Sequence, residues 1–120
     1  MRRGTEEYDA ALDEMIAILQ RWAREGRING WYSALSAELK EAGHAVHHRS
    51  KAMSELLADV CHREHTRGAP MLSALVVNKA SGKPSGQFFE LAKSAPFDRT
   101  DSDWSWERER SRVFNYYSRP

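Results

Sequence analysis

Residues 70–89 read Pro-Met-Leu-Ser-Ala-Leu-Val-Val-Asn-Lys-Ala-Ser-Gly-Lys-Pro-Ser-Gly-Gln-Phe-Phe, and the reading of this stretch decides the fold class. Met71 to Val77 is a short apolar run ending in a β-branched pair, bounded by Pro70 and Asn78, which is the signature of a strand. Periodicity alone does not separate such a run from a buried helical turn. Asn78 to Gly86 carries two glycines, two serines and a proline, which is turn chemistry. Gln87-Phe88-Phe89-Glu90-Leu91 then offers a return strand. The expectation is an antiparallel hairpin with a long basic tip.

Upstream of the hairpin the periodicity is helical. Tyr8, Leu12, Met15, Ile16, Leu19 and Trp22 recur at spacings of three and four, one face of a helix over 6–25 with Thr5 as its cap and Gly26 as its stop. Arg27 to Gly30 reads as a brief extended step. Trp31, Leu35, Leu39 and Ala42 define a second helix closed by Gly43. A polar loop over 44–49 leads to Ser50, the N-cap of a third helix with its stripe on Met53, Leu56, Leu57, Val60 and Cys61. Downstream, Ser94 to Ser102 reads as a connector. A terminal helix over about 103–117 packs through Trp106, Arg110, Val113, Phe114 and Tyr117, with Trp104 and Tyr116 partly exposed. Asp101 with Asp103, and Glu107 with Glu109, look like solvated charge.

Helix, short strand, helix, loop, helix, strand, loop, strand is an order that resembles the winged helix-turn-helix superfamily. The likeness covers residues 5 to 93 and is one of pattern. It implies an α+β, winged-helix-like fold: three N-terminal helices, a small antiparallel hairpin and a C-terminal helix. The whole chain, 1–120, is then one domain with its core in 5–93 and a helical extension over 103–117. Ser50 to His65 takes the place of the recognition helix and Asn78 to Gly86 that of the wing. Residues 70–89 also look like a stretch that recurs in small bacterial proteins.

The bulk numbers suit a single folded domain. A chain of 120 residues, 41% hydrophobic and 29% charged, buries about two-thirds of its unfolded surface and lacks the bias of a disordered segment. The single Cys61 excludes an internal disulfide, and the start moves from two arginines directly into acidic residues, so a cytoplasmic setting is expected. No apolar run approaches the roughly 18–20 residues of a membrane span. Net charge is +1, but residues 43–93 hold 7 Lys/Arg against 4 Asp/Glu and all five histidines, so positive potential concentrates in the middle of the chain.

That charge points to nucleic acid, double-stranded DNA before RNA, as partner. His47, His48, Arg49, Ser50 and Lys51 stand at the start of the third helix, where Arg49 and Lys51 reach bases or phosphates and Ser50 with the first-turn N–H groups holds a phosphate oxygen. Lys79, Ser81 and Lys83 on the loop reach the neighbouring backbone. So few cations per copy call for a homodimer or a larger complex. The competing class is a protein-interaction or scaffold module, suited to the acidic first helix. Pairing of Arg49, Lys51, Lys79 and Lys83 with Glu55, Asp59 and Glu90 would favour it; one exposed cationic face would favour nucleic acid.

Other chemistry is weaker in the sequence. Cys61 and His65 are four apart, with His62 between them and His44, His47 and His48 upstream, yet the spacing matches no standard zinc module. Cys61 lies on the apolar stripe of its helix and reads as core. Phosphate-binding glycine loops, nucleophile elbows and His-Glu-x-x-His are absent, so no enzyme activity, cofactor or metal is expected. The aromatic tail from Trp104 to Tyr117 offers a stacking platform, although helical spacing favours packing.

Overall fold

The computed structural model describes residues 1–118. In chain order these form α1 (Glu6–Arg24), α2 (Tyr32–Glu41), α3 (Lys51–His65), a 3₁₀ turn (Leu72–Leu75), α4 (Gly86–Lys93) and α5 (Trp106–Tyr117). α1 is the central element, packed against α2, α3, α5 and the 3₁₀ turn. Among the described residues, no helix is long and apolar enough to cross a membrane.

The helical starts follow from their capping residues. Thr5 Oγ1 accepts the Tyr8 N–H at 3.1 Å, Ser50 Oγ accepts the Met53 N–H at 3.1 Å, and Ser105 Oγ accepts the Arg108 N–H at 3.2 Å, each satisfying a first-turn donor that has no partner inside its helix. Glu6, Glu7 and Asp9 open α1 and Arg21 and Arg24 close it, in line with the helix dipole. Its stripe then buries Leu12, Met15, Leu19 and Trp22.

The α+β expectation is overturned: the described residues contain no strand, and the fold is all-helical. Neither half of the expected hairpin forms. Residues Met71 to Val77 are buried throughout, so the run has no solvent face and no need of alternation. Its backbone is satisfied without a ladder. The Ala74 N–H donates to Met71 O at 3.0 Å and the Val76 N–H to Ser73 O at 3.1 Å, while the Trp106 indole donates to Ala74 O at 2.8 Å. Gln87 to Leu91 lies within α4, where Phe88 and Ala92 are buried and Leu91 is half-buried. These positions are i, i+3 and i+4, the helical period. The 78–85 segment is therefore a loop from a 3₁₀ turn into a helix, and the wing of a winged helix is not formed.

What remains of extended structure is a single parallel bridge between Trp31 and Val77. The Val77 N–H donates to Gly30 O at 2.8 Å and the Tyr32 N–H to Val77 O at 3.1 Å. Gly30 makes this approach feasible. A Cβ there would stand 2.6 Å from Leu75 O and 2.8 Å from the Trp22 ring. Trp22 cannot yield, because its indole N–H donates to Glu38 Oε2 at 2.7 Å and Arg27 covers its ring at 4.2 Å.

Glu109 is a second correction, since it is fully buried where solvated charge was expected. Arg99 donates to both its oxygens, at 3.0 and 3.2 Å, the Met71 N–H at 2.8 Å and the Trp104 indole at 2.8 Å. Burial raises the carboxyl's pKa, but the Arg99 hydrogen bonds, followed by those from Met71 and Trp104, outweigh it and hold the group below its ordinary value. Trp104 and Tyr116 are half-buried, as their positions off the main face of the tail suggested.

Two outcomes follow for stability. Gly30→Ala overpacks the Trp22–Leu75 contact and lowers unfolding free energy by about 1–3 kcal/mol in urea melts; an unchanged midpoint would contradict the packing. Because the folded pKa of Glu109 is depressed, its contribution is complete above the unfolded glutamate value of about 4.3 and is lost as pH falls through the folded value. Acid titration of Glu109→Gln should show a flatter pH dependence than wild type in that window. The variant is also less stable at neutral pH by about 3 kcal/mol, the low end for a broken buried pair, since Arg99 is 18% exposed.

Candidate nucleic-acid interface

The N-terminal end of α3 and the 78–85 loop face each other across a groove of about 530 Å³. α3 starts at Lys51 because Ser50 is held in place twice: its N–H donates to His47 O at 3.0 Å and its hydroxyl to the same oxygen at 2.8 Å. The His47 ring stacks on His48 with centroids 4.4 Å apart, and its Nδ1 accepts the Arg49 N–H at 3.1 Å. His47 thus braces the turn from which Arg49 and Lys51 project.

The opposite wall is equally local in origin. Asn78 and Gly82 close the loop, with the Asn78 N–H on Lys83 O and the Gly82 N–H on Asn78 O, both at 2.8 Å. Gly82 takes φ +70°, a left-handed conformation that suits glycine. Tyr32 OH lies 3.1 Å from Ser85 Oγ and accepts the Ser85 N–H at 3.1 Å, fastening the end of the loop to α2. Lys79 rests its ammonium 4.6 Å above the Trp31 ring.

Of the residues singled out in the sequence, His48, Arg49, Ser50, Lys51 and Lys79 line this groove. His47, Ser81 and Lys83 do not; all three are exposed on the two segments that frame it. Among the described residues, no carboxylate contributes to the lining. Among the described residues, no ion pair engages Arg49, Lys51, Lys79 or Lys83, whereas Glu55 and Asp59 both pair with Arg3. The sequence reading missed Tyr32, Asn78 and Gln87, which also line the groove. For Tyr32 a signal existed: an aromatic one position off the Trp31–Leu35–Leu39 stripe.

A second cavity of about 320 Å³ adjoins the first and shares Tyr32, Ser54, Ser85 and Gln87 with it. Its own lining is mainly apolar, with Leu57, Ala58, Phe88 and Leu91, and Glu90 is its only carboxylate. The Ser54 hydroxyl donates to Gln87 Oε1, tying α3 to α4 along the shared wall.

The histidine- and cysteine-rich part of α3 serves packing. Cys61 is buried, its sulfur 3.0 Å from Ser73 Oγ, and burial pushes the thiol up to about 11 against the opposing pull of the Ser73 hydrogen bonds. The rings of His62 and His65 lie against Phe97 at 5.1 and 5.4 Å. No three His, Cys, Asp or Glu side chains among the described residues are grouped to hold a metal ion.

No family model, curated protein or solved structure matches this chain.

A thiolate is the reactive form of cysteine, so Cys61 should resist a disulfide reagent at pH 7.5 in the folded protein and react fully in denaturant. Rapid labelling of the native chain would show that the thiol is open.

Proposed function

We propose that this protein binds nucleic acid, DNA in the first instance, through backbone phosphates held in the groove between the α3 N-terminus and the 78–85 loop, without catalysis. One observation carries the reading: Arg49, Lys51 and Lys79, from segments 28 residues apart, line one groove that contains no carboxylate. Like charges gathered without counter-charges raise the local potential and favour a polyanion. Arg49 offers a planar fork for phosphate oxygens, the lysines mobile point charges. Lys51 and Ala52 are the first two helical residues after the Ser50 cap, and their N–H groups lack intrahelical partners, adding donors of the right sign.

Of the pairings that would favour the protein-interaction alternative, those of Glu55 and Asp59 go to Arg3 and not to the groove cations. A buried lone cysteine is compatible with a reducing cytoplasm. Three cations per copy give modest affinity, and tight binding then needs a second copy or a larger assembly.

With three phosphates neutralised, affinity for labelled DNA in an anisotropy titration should fall roughly 20- to 40-fold between about 50 and 200 mM salt. The Arg49→Glu, Lys51→Glu double variant should bind at least about tenfold more weakly and flatten the salt slope by about 2. No binding at low salt, or a variant that binds like wild type, would remove the proposal.

A further inference from the structure

The two adjoining cavities differ in chemistry in a way that orients a ligand. The first is cationic and free of carboxylates among the described residues; the second is walled by Leu57, Phe88 and Leu91, with Ser73, Ser94 and Glu90 also in its lining. A phosphate is stabilised in the first and repelled by Glu90 in the second. A flat group with apolar faces and N–H donors at its edge fits the second. At about 320 Å³ the second cavity is within the usual range of small-ligand sites, about 300–1,000 Å³.

We infer that the second cavity receives an unstacked nucleobase whose phosphates occupy the cationic groove, so that the ligand is single-stranded nucleic acid. This rests on the phosphate-binding reading above and narrows it. A helix laid in a duplex major groove reads bases from its N-terminal residues, but its flanks must also fit between the groove walls, and those of α3 are occupied. One flank of α3 is joined to α4 through Ser54 and Gln87, and the other carries Glu55 and Asp59 in ion pairs with Arg3. Lys51 is exposed, and no residue from Ala52 to Cys61 is. A base already free of its partner strand can instead turn into the cavity, packing on apolar and aromatic side chains while Gln87 and Glu90 meet its edge. An acyl chain would suit the apolar wall but would set hydrocarbon beside the Glu90 carboxylate.

The test compares a labelled twelve-nucleotide thymidine strand with an abasic strand of equal length and charge, and with a duplex of the same length, all at low salt. The intact strand should bind about 5- to 150-fold tighter than the abasic strand, the range expected for burial of one stacked base. Ala58→Phe, which fills the cavity from α3, should abolish that difference while leaving abasic-strand binding and the thermal midpoint unchanged. Ala58→Ser, which keeps the cavity open, should preserve the difference and covers the case in which the larger side chain disturbs folding. Equal binding of intact and abasic strands by wild type, or tighter binding of the duplex, would overturn the base pocket while phosphate binding stands. Loss of all binding to every strand would instead remove the phosphate reading itself. Anionic phosphatidylglycerol vesicles form the last arm: binding to them that Ala58→Phe abolishes would assign the cavity to an acyl chain and overturn the inference.

Discussion

The Glu109 carboxylate fixes the segment on which the rest of the fold depends. A buried charge is tolerated only when its hydrogen-bonding capacity is filled, and here Arg99, Trp104 and the Met71 N–H supply the donors. α5 thereby holds both the 97–104 loop and the first residue of the apolar 71–77 run. That run then reaches Gly30 and Tyr32 at its far end through Val77. Tyr32 in turn fastens Ser85, and so the loop that forms one wall of the groove. An unbroken set of contacts links a buried carboxylate in the last helix to the position of Lys79.

Glu64 repeats the same solution on α3. It is 2% exposed, and Gln20 at 2.6 Å, Tyr117 OH at 2.8 Å and Arg67 at 3.3 Å donate to it, joining α1, α3 and α5. Burial and then the hydrogen bond to Glu64 raise the Tyr117 pKa, keeping its hydroxyl protonated as a donor. Among the described residues no buried side-chain nitrogen or oxygen lacks a partner. Directional contacts of this kind select one packing of helices that apolar burial alone would leave free to slide.

The four longer helices were legible in the sequence because each is an amphipathic stripe, and α1, α3 and α5 also carry a side-chain cap. Thr5 and Ser50 were identifiable from residue type, and both perform that role. The 70–93 region was not legible, for two physical reasons. A segment buried on every side has no polar face, so Met71 to Val77 carries no period to read. The expected return strand, Gln87 to Leu91, stops one position short of Ala92, which completes the i, i+4 pair with Phe88. Glu109 was misread although it lies between Trp106 and Val113 at spacings of three and four; a carboxylate on an apolar stripe is itself a sign of a buried partner. In the groove, Arg49 and Lys51 could be found because they neighbour a helix cap. The apolar cavity beside them could not, since α2, α3 and α4 each contribute only part of its wall.

The ion pairs of the described residues leave the groove cations out. Seven arginines, Arg3, Arg21, Arg27, Arg63, Arg67, Arg99 and Arg112, pair with carboxylates among the described residues. The exposed pairs among these contribute little to stability, but each cancels field locally, whereas Arg49, Lys51 and Lys79 line one groove without an ion-pair partner among the described residues. Gathering those three charges without an acidic neighbour costs folding energy through mutual repulsion. The loop that brings Lys79 there is braced by its own hydrogen bonds and anchored on Tyr32, which holds the cations in place against that repulsion. An arrangement that is unfavourable for the isolated fold becomes favourable once a polyanion occupies it, and that reversal of sign is the physical basis for reading the groove as a binding surface.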